Sequence, residues 1–356
     1  MKIIVIGLGQ CGARVADEFS QLNHRASSKQ GLEIVPGVYA VSTSTEDLIK
    51  PLNIEVDFRH RILVAAERLK GSGVEGDNEL GAAIMHEQAD LVIEAVRANP
   101  EFYQIDAILL IAGAAGGFGS GALPALAQYM KSRFQGKIIY ALVVLPFASE
   151  TSSDARAIRN TASCLKSIES IADAVFLANN ELFQNKSLQD DYLEINRSIV
   201  EPFYNLLCAG AEKRKKHIGA KLLDAGDIIA TLGGWTVVQS SEVTLQPSLS
   251  EKIFHKEPEK LEDEAGIRAM DQALGTAMKL CNPEDALTAL YLITAPSQDI
   301  DVSIIKSLGA YLKQAAPNAT IRSGDYPIGT KTMEVSILLS NLRDVEIVRR
   351  YYTSAD

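Results

Sequence analysis

Cysteine is scarce in this chain, and its spacing argues against two kinds of site. The four cysteines are Cys11, Cys164, Cys208 and Cys281, and no two of them have the CxxC spacing of a zinc site. They also lie too far apart along the chain to outline a disulfide framework. The cysteines therefore indicate a reducing, cytoplasmic setting.

An excess of basic charge is also absent. The formal net charge is -10, so the composition gives no electrostatic attraction to nucleic acid or to anionic lipid. The one basic cluster, EKRKKH at 212–217, is interpreted as the solvated end of a helix. With 47% hydrophobic residues, the 356 residues are enough for about two domains with a full core.

Long apolar segments are few. MKIIVIGLG at the start is too short for a secretory signal and predicts a first strand. One charge-free run, 107–130, has glycines at GxxxG spacing and could be a membrane helix. Its central glycines would weaken a helix, and Pro124 suits the first turn of a new one, so we favour strand, loop and helix.

The first half of the chain alternates apolar runs with helical patterns. The runs that predict buried strands are KIIVI at 2–6, VYAVS at 38–42, RILVA at 61–65, IDAILLIA at 105–112, KIIYALVVL at 137–145 and DAVFLAN at 173–179. This alternation predicts an α/β fold with a doubly wound parallel sheet. Ligands of such sheets bind at the carboxyl ends of the strands.

The second half has a different rhythm. A long helical stretch, about 192–217, precedes strand and helix patterns that predict a smaller α/β domain with a mixed sheet packed by two helices. The charged stretch 247–264 is interpreted as a helix-poor surface excursion. The expected division is a nucleotide-binding domain at 1–190, a central helix at 191–220 and a second domain at 221–356.

Three loops combine glycine with small polar residues: GLGQCG at 7–12, GSGVEGDN at 71–78 and GAAGGFGSG at 113–121. At one edge of a sheet they could offer backbone N–H donors and helix N-termini to a polyphosphate. No GxxxxGK[ST] motif occurs, so a nucleotide would be held without a Walker lysine. An NAD-dependent oxidoreductase built on Gly7, Gly9 and Gly12 stays open, although Ser42 to Thr45 offer hydroxyls where an acidic residue is expected.

Several motifs together resemble the tubulin and FtsZ superfamily. GQCG at 9–12 is similar to its first phosphate loop, and GAAGGFGSG is similar to its GGGTGSG signature, with Phe118 in place of threonine. LPF at 145–147 with Glu150, NNELF at 179–183 and DYLEIN at 191–196 are similar to later nucleotide loops and to the start of the central helix. The resemblance implies GTP or GDP with Mg²⁺ as ligands.

The resemblance nominates a set of nucleotide-binding residues, with Asn196 reading the guanine edge. They are Gly9, Gln10, Cys11, Gly12, Ser44, Gly73, Gly113, Ala114, Ala115, Gly116, Gly117, Phe118, Gly119, Ser120, Glu150, Asn160, Asn179 and Asn196. Since phenylalanine has no hydroxyl, we expect the neighbouring amides and Ser120 to donate to phosphate in its place.

LLDAGDI at 222–228 is similar to the FtsZ stretch whose two carboxylates complete the active site of the neighbouring subunit. The resemblance nominates Asp224 and Asp227 as catalytic residues that act on the neighbour's GTP and implies head-to-tail homopolymers. The structural alternative makes Asp224 a helix N-cap and Asp227 a favourable first-turn charge.

Within the superfamily, GGW at 233–235 and IRSGDYP at 321–327 look most like the archaeal CetZ group. This resemblance implies control of cell shape. A divergent FtsZ acting in division and a nucleotide-binding regulator that does not polymerise are the alternatives. We expect a cytoplasmic protein that partners itself, binds no nucleic acid and reaches the inner face of the membrane only through an adaptor, without inserting directly.

Overall fold

A computed structural model describes residues 1–50, 53–183, 191–211, 221, 223–245, 258–329 and 331–355. The basic cluster at 212–217 and residues 247–257 of the expected surface excursion lie outside these ranges. The chain forms two compact units, Met1–Tyr204 with Glu346–Asp356 and Asn205–Val345. The three-part division at 190 and 220 stays a prediction.

The first unit is built on a parallel sheet. Its strands are β1 (Ile3–Leu8), β2 (Gly37–Ser42), β3 (Arg61–Leu63), β4 (Ala107–Gly113), β5 (Ile138–Leu145) and β6 (Ala174–Asn179). Their order is β3-β2-β1-β4-β5-β6, and all neighbours pair in parallel. The predicted doubly wound sheet is confirmed. The strand order reverses between β1 and β4, the point where such sheets bind ligands.

The strands are continuous apolar runs because the sheet is buried on both faces. Every residue of β1, β2 and β6 is buried. The helices that begin in this part of the chain are α1 (Gly9–Gln30), α2 (Thr45–Ile49), α3 (Ala66–Leu69), α4 (Asn78–Arg97), α5 (Gly117–Arg133), α6 (Ala148–Ser153), α7 (Ala155–Glu169) and α8 (Asp191–Ala211). Helix α3 separates β3 from the glycine-containing loop at 71–78.

Helix α5 begins earlier than the sequence suggested. It starts at Gly117, so Pro124 lies well inside it, and the prediction of a new helix at Pro124 is wrong. Its glycines are there for close packing: an added Cβ on Gly121 would lie 2.0 Å from the carbonyl oxygen of Asn78 in α4. The 107–130 run is thus a strand and a separate helix, and no helix of the described residues is long and apolar enough to span a membrane.

The second unit has a smaller, mixed sheet. Its elements are α9 (Ala225–Thr231), β7 (Gly234–Thr244), α10 (Pro258–Ala277), β8 (Thr288–Ala295), α11 (Val302–Ala315), β9 (Thr320–Pro327) and β10 (Thr332–Leu342). The order is β7-β10-β8-β9; β10 is antiparallel to both neighbours and β8 is parallel to β9. The predicted mixed sheet is confirmed. The prediction that 247–264 is poor in helix is wrong from Pro258 onward. Helix α10 begins at this residue, and proline is favoured at the first position of a helix.

The last helix, α12 (Glu346–Ala355), belongs to the first unit rather than to the second. It packs against α7, and the Tyr352 hydroxyl donates to Glu169 Oε2 at 3.1 Å. The first unit therefore consists of two separate stretches of chain.

The contact between α4 and α5 predicts the effect of two glycine substitutions. Gly121→Ala places a methyl group against the Asn78 carbonyl and should lower the free energy of unfolding by about 1–3 kcal/mol. Gly275→Ala is the matched control, because Gly275 lies in α10 and no atom lies within 4 Å of an added Cβ. This variant should be more stable than the wild type by up to about 1 kcal/mol, because alanine has the higher helix propensity. Urea unfolding followed by circular dichroism measures both. Equal shifts would contradict the close packing.

Candidate functional site

A cavity of about 350 Å³ lies at the carboxyl ends of the strands of the first unit. Leu8 and Ser42, the last residues of β1 and β2, line it together with Gly113 and Leu145, the last residues of β4 and β5. The cavity thus lies where the strand order reverses. This is the edge at which the sequence predicted ligand binding.

The first turn of α1, directly after β1, forms one wall through Gly9, Gln10 and Cys11. Gly9 has a φ of 68°, a left-handed conformation that favours glycine, as the chain turns from strand into helix. Gly12 does not line the cavity. An added Cβ there would lie 2.2 Å from the Ile111 carbonyl oxygen, so Gly12 allows α1 to approach β4.

Two helices begin at the cavity without a capping side chain. The N-cap residue of α1 is Leu8 and that of α5 is Gly116; neither side chain can accept a hydrogen bond. By contrast, Asp77, Asp154 and Asp301 cap α4, α7 and α11 and accept from backbone N–H groups at 2.8–2.9 Å. The free N–H groups and positive dipole ends of α1 and α5 make this part of the cavity suited to an anion.

The end of β4, the short loop after it and the first turn of α5 supply most of a second wall, from Gly113 to Gly119. Phe118 lines the cavity although only 5% of it is exposed. Ser120 is buried, and its hydroxyl donates to the Gly116 carbonyl within its own helix and lies 3.2 Å from the Gly117 carbonyl oxygen. The Ser120 hydroxyl is thus directed at the backbone of its own helix, and the expectation that it donates to phosphate stays a prediction.

Asn160 joins two of the loops without lining the cavity itself. Its amide nitrogen in α7 donates to the carbonyls of Gly76 and Ala115 at 3.0 Å and to that of Gly116 at 3.4 Å. It is 5% exposed, so water cannot readily replace these bonds. Asn160 therefore positions the loops.

The loop at 71–78 is held against the segment that follows β2. Ser44 and Ser72 form an isolated β-bridge, and the N–H of Thr45 donates to the Gly71 carbonyl at 3.1 Å. This arrangement brings the segment from Gly73 to Gly76 to the cavity. Ser42 Oγ donates to Asp47 Oδ2 at 2.7 Å, which places one carboxylate on the cavity wall.

The opposite side of the cavity is formed by α8 and the loop after β6. Tyr192 and Asn196, four residues apart on one face of α8, line it with Asn180. Asn179, which the sequence nominated, does not: it ends β6, and its amide oxygen accepts from the N–H of Glu181 at 3.0 Å. The Asn179 amide thus completes the turn that brings Asn180 to the wall, and its nomination as a nucleotide-binding residue stays a prediction.

Two titratable groups on the wall have defined partners. Glu150 Oε2 accepts from the N–H of Phe147 at 2.8 Å and so holds the start of α6. Burial, with a smaller contribution from the nearby Glu150 charge, raises the pKa of the Cys11 thiol to about 12. Cys11 is therefore a neutral, weakly nucleophilic side chain at physiological pH.

Asp224 and Asp227 lie in the second unit, at the start of α9. Asp224 Oδ1 accepts from the N–H of Asp227 at 2.8 Å, and Asp227 Oδ2 lies 3.5 Å from the N–H of Asp224, so the two form a capping box. Arg322 Nε lies 3.6 Å from Asp227 Oδ1. Asp224 is exposed. The geometry matches the structural alternative, and it leaves the Asp224 carboxylate accessible.

Most of the nominated nucleotide residues therefore meet at one cavity. Gly12, Ser120, Asn160 and Asn179 lie behind its wall. The cavity is also lined by four residues that the motifs did not nominate: Arg14, Asp47, Asn180 and Tyr192. The helical spacing from Cys11 to Arg14 and from Tyr192 to Asn196 could have indicated two of them.

Two protein-family models together match nearly the whole chain. Residues 2–187 match the GTPase domain of the Tubulin/FtsZ family, and residues 185–356 match the C-terminal domain of tubulin-like CetZ. The chain therefore belongs to the tubulin/FtsZ family of GTPases, as the motifs suggested.

The relatives narrow this to the CetZ group. The chain is 30% identical to the tubulin-like protein CetZ1 of Haloferax volcanii, over 98% of this chain and 90% of the relative. It superimposes on the GTPγS-bound protofilament structure of CetZ2 from Haloferax volcanii with a TM-score of 0.84 at 27% identity, covering 100% and 97% of the two chains. The GDP-bound monomer of CetZ1 from the same organism gives 0.82 at 29% identity, covering 100% and 98%.

The bonds of Asn160 predict its importance for the loops. Asn160→Leu should lower the free energy of unfolding by about 1–3 kcal/mol, because three loop carbonyls lose the hydrogen bonds of a buried amide donor. Ser163→Ala, at an exposed position of the same helix, should change it by less than about 0.5 kcal/mol. Chemical denaturation measures both, and an Asn160→Leu variant as stable as the control would show that the loops do not depend on this amide.

Proposed function

We propose that the cavity binds GTP and that the chain hydrolyses it and assembles head-to-tail into protofilaments. The observation that carries the proposal is the pair of uncapped helix starts, α1 and α5, at one cavity between β1 and β4. Their N–H groups suit a polyphosphate without a Walker lysine. The CetZ relatives, whose structures are described with GTPγS and with GDP, support the same ligand.

The cavity also fits a bound Mg²⁺. Hydroxyls at Ser42 to Ser44 and the Asp47 carboxylate give hard oxygen donors on its wall. Among the described residues, the one cluster of three potential metal-binding groups is Glu55, Asp57 and His60, outside the cavity. A site with few carboxylates suits Mg²⁺, because this ion retains water ligands and also takes phosphate oxygens as ligands. Bound there, it would neutralise phosphate charge, with Asp47 as its protein ligand.

The α8 side of the cavity suits the base. Asn196 is 9% exposed and offers both a donor and an acceptor to the Watson–Crick edge of guanine. Tyr192 is 44% exposed and lies in an edge-to-face contact with Phe147, with ring centroids 6.1 Å apart, which leaves ring surface for stacking. Asn180 adds a second amide.

Asp224 and Asp227 act, in this proposal, on the GTP of the neighbouring subunit. Asp224 uses Oδ1 in the cap and is exposed, so its second oxygen can orient an attacking water. Asp227 is partnered by Arg322 and by the cap. Hydrolysis then requires subunit contact, and a contact that does not close on itself generates a filament.

For the cellular role we propose control of cell shape by these filaments, at the inner face of the membrane through an adaptor. Membership of the CetZ group supports this role over division. Cell outlines in a deletion strain test it: altered shape with normal septation is expected, and blocked septation would favour the FtsZ alternative.

Gly116→Asp tests the nucleotide site. An added Cβ at Gly116 meets no atom within 4 Å and the residue lines the cavity, so the fold should tolerate a side chain. Its carboxylate would repel phosphate, and we expect GDP affinity to fall by about 10-fold or more. Gly116→Asn is the uncharged control of the same size. Calorimetric titration with GDP measures both, and equal affinities would place the phosphates elsewhere.

Asp224→Asn tests the catalytic carboxylate without removing the cap, since asparagine caps helices as well as aspartate does. We expect GTP turnover to fall by about 100-fold or more with GDP affinity unchanged. Wild-type turnover per subunit should rise steeply with protein concentration. Mixing Asp224→Asn with Gly116→Asp should restore turnover, because each supplies what the other lacks. Turnover independent of concentration would favour a regulator that does not polymerise.

A further inference from the structure

Arg14 is the cationic residue among the described residues that line the cavity. It lies in α1, one turn after Cys11. Its guanidinium carbon stands 6.0 Å from the centroid of the Tyr192 ring. This places it beside the α8 side of the cavity, with Tyr192 and Asn196.

Among the described residues, no carboxylate or carbonyl accepts a hydrogen bond from the Arg14 guanidinium, which lies beside the Tyr192 ring. Arg61, in contrast, donates to the carbonyls of Leu48 and Ile54 at 2.9 and 2.7 Å. A half-buried guanidinium has five N–H donors and no acceptor, so Arg14 presents donors alone to whatever enters the cavity.

We propose that Arg14 donates to O6 and N7 of the bound base and thereby selects 6-oxopurine nucleotides over adenine nucleotides. Guanine presents two acceptors on this edge, a pattern that one arginine fork matches, whereas adenine presents N7 and an amino donor. The inference rests on the proposed function, since it concerns the base of the nucleotide bound there.

The two sides of the base are then read by different residues. Arg14 contacts the O6 and N7 edge, and Asn196 contacts the edge that carries N1 and the 2-amino group. Hypoxanthine keeps O6 and N7 but lacks the 2-amino group, and 2-aminopurine lacks O6. Nucleoside diphosphates of these bases therefore separate the two contacts.

The test is calorimetric titration of GDP, IDP, ADP and 2-aminopurine riboside diphosphate into the wild type, Arg14→Met and Arg14→Lys, at 0.15 M salt to limit long-range charge effects. For Arg14→Met we expect GDP and IDP affinities to fall in parallel by about 5- to 150-fold, with ADP and 2-aminopurine nucleotide affinities nearly unchanged. Arg14→Lys keeps the charge without the fork and should lose part of the preference for GDP over ADP.

Three results would overturn this inference and leave the proposed function intact. The wild type could bind ADP as tightly as GDP, or the ratio of GDP to ADP affinity could be unchanged in both variants. Affinity could also fall equally for all four nucleotides, which would place Arg14 on the phosphates. If Arg14→Met does not fold, the ratio of GDP to ADP affinity in Arg14→Lys tests the inference, and an unchanged ratio there overturns it. Wild type that binds neither GDP nor GTP would overturn the proposed function itself.

Discussion

The unpaired backbone N–H groups at the starts of α1 and α5 are the constraint on which the first unit depends. A helix leaves up to four such donors without partners, and here Leu8 and Gly116 stand where aspartate caps other helices. The parallel pairing of β1 with β4 brings both ends to one edge of the sheet. An acceptor must then come from outside the chain, which gives the cavity its preference for anions.

The strands and the general position of the cavity could be predicted because a buried parallel sheet leaves an unbroken apolar pattern. The start of α5 could not be predicted, since its glycines weaken a helix in isolation. They are explained by contacts distant from α5 in sequence, such as that of Gly121 with Asn78. Likewise, nothing in the Asn179–Asn180 pair shows which amide completes a turn and which one faces the cavity. The resemblance to the tubulin and FtsZ superfamily nominated Asn160. Its hydrogen bonds to two loops could not be predicted, because the loop residues are distant from it in sequence.

In the proposed function, Asp224 and Asp227 serve both the fold and the reaction. In a single chain they already hold each other through the capping box, and Arg322 stands beside Asp227. The proposed assembly would therefore require little rearrangement of these carboxylates. Such preorganisation lowers the cost of assembling a site from two molecules.

The place of α12 has a consequence for the order in which the protein can be completed during synthesis. The first unit contains Met1–Tyr204 and also Glu346–Asp356, so its last helix leaves the ribosome after the whole of Asn205–Val345. The surface of α7 that α12 covers stays exposed through that interval. The nucleotide-binding unit, although encoded first, is therefore finished last.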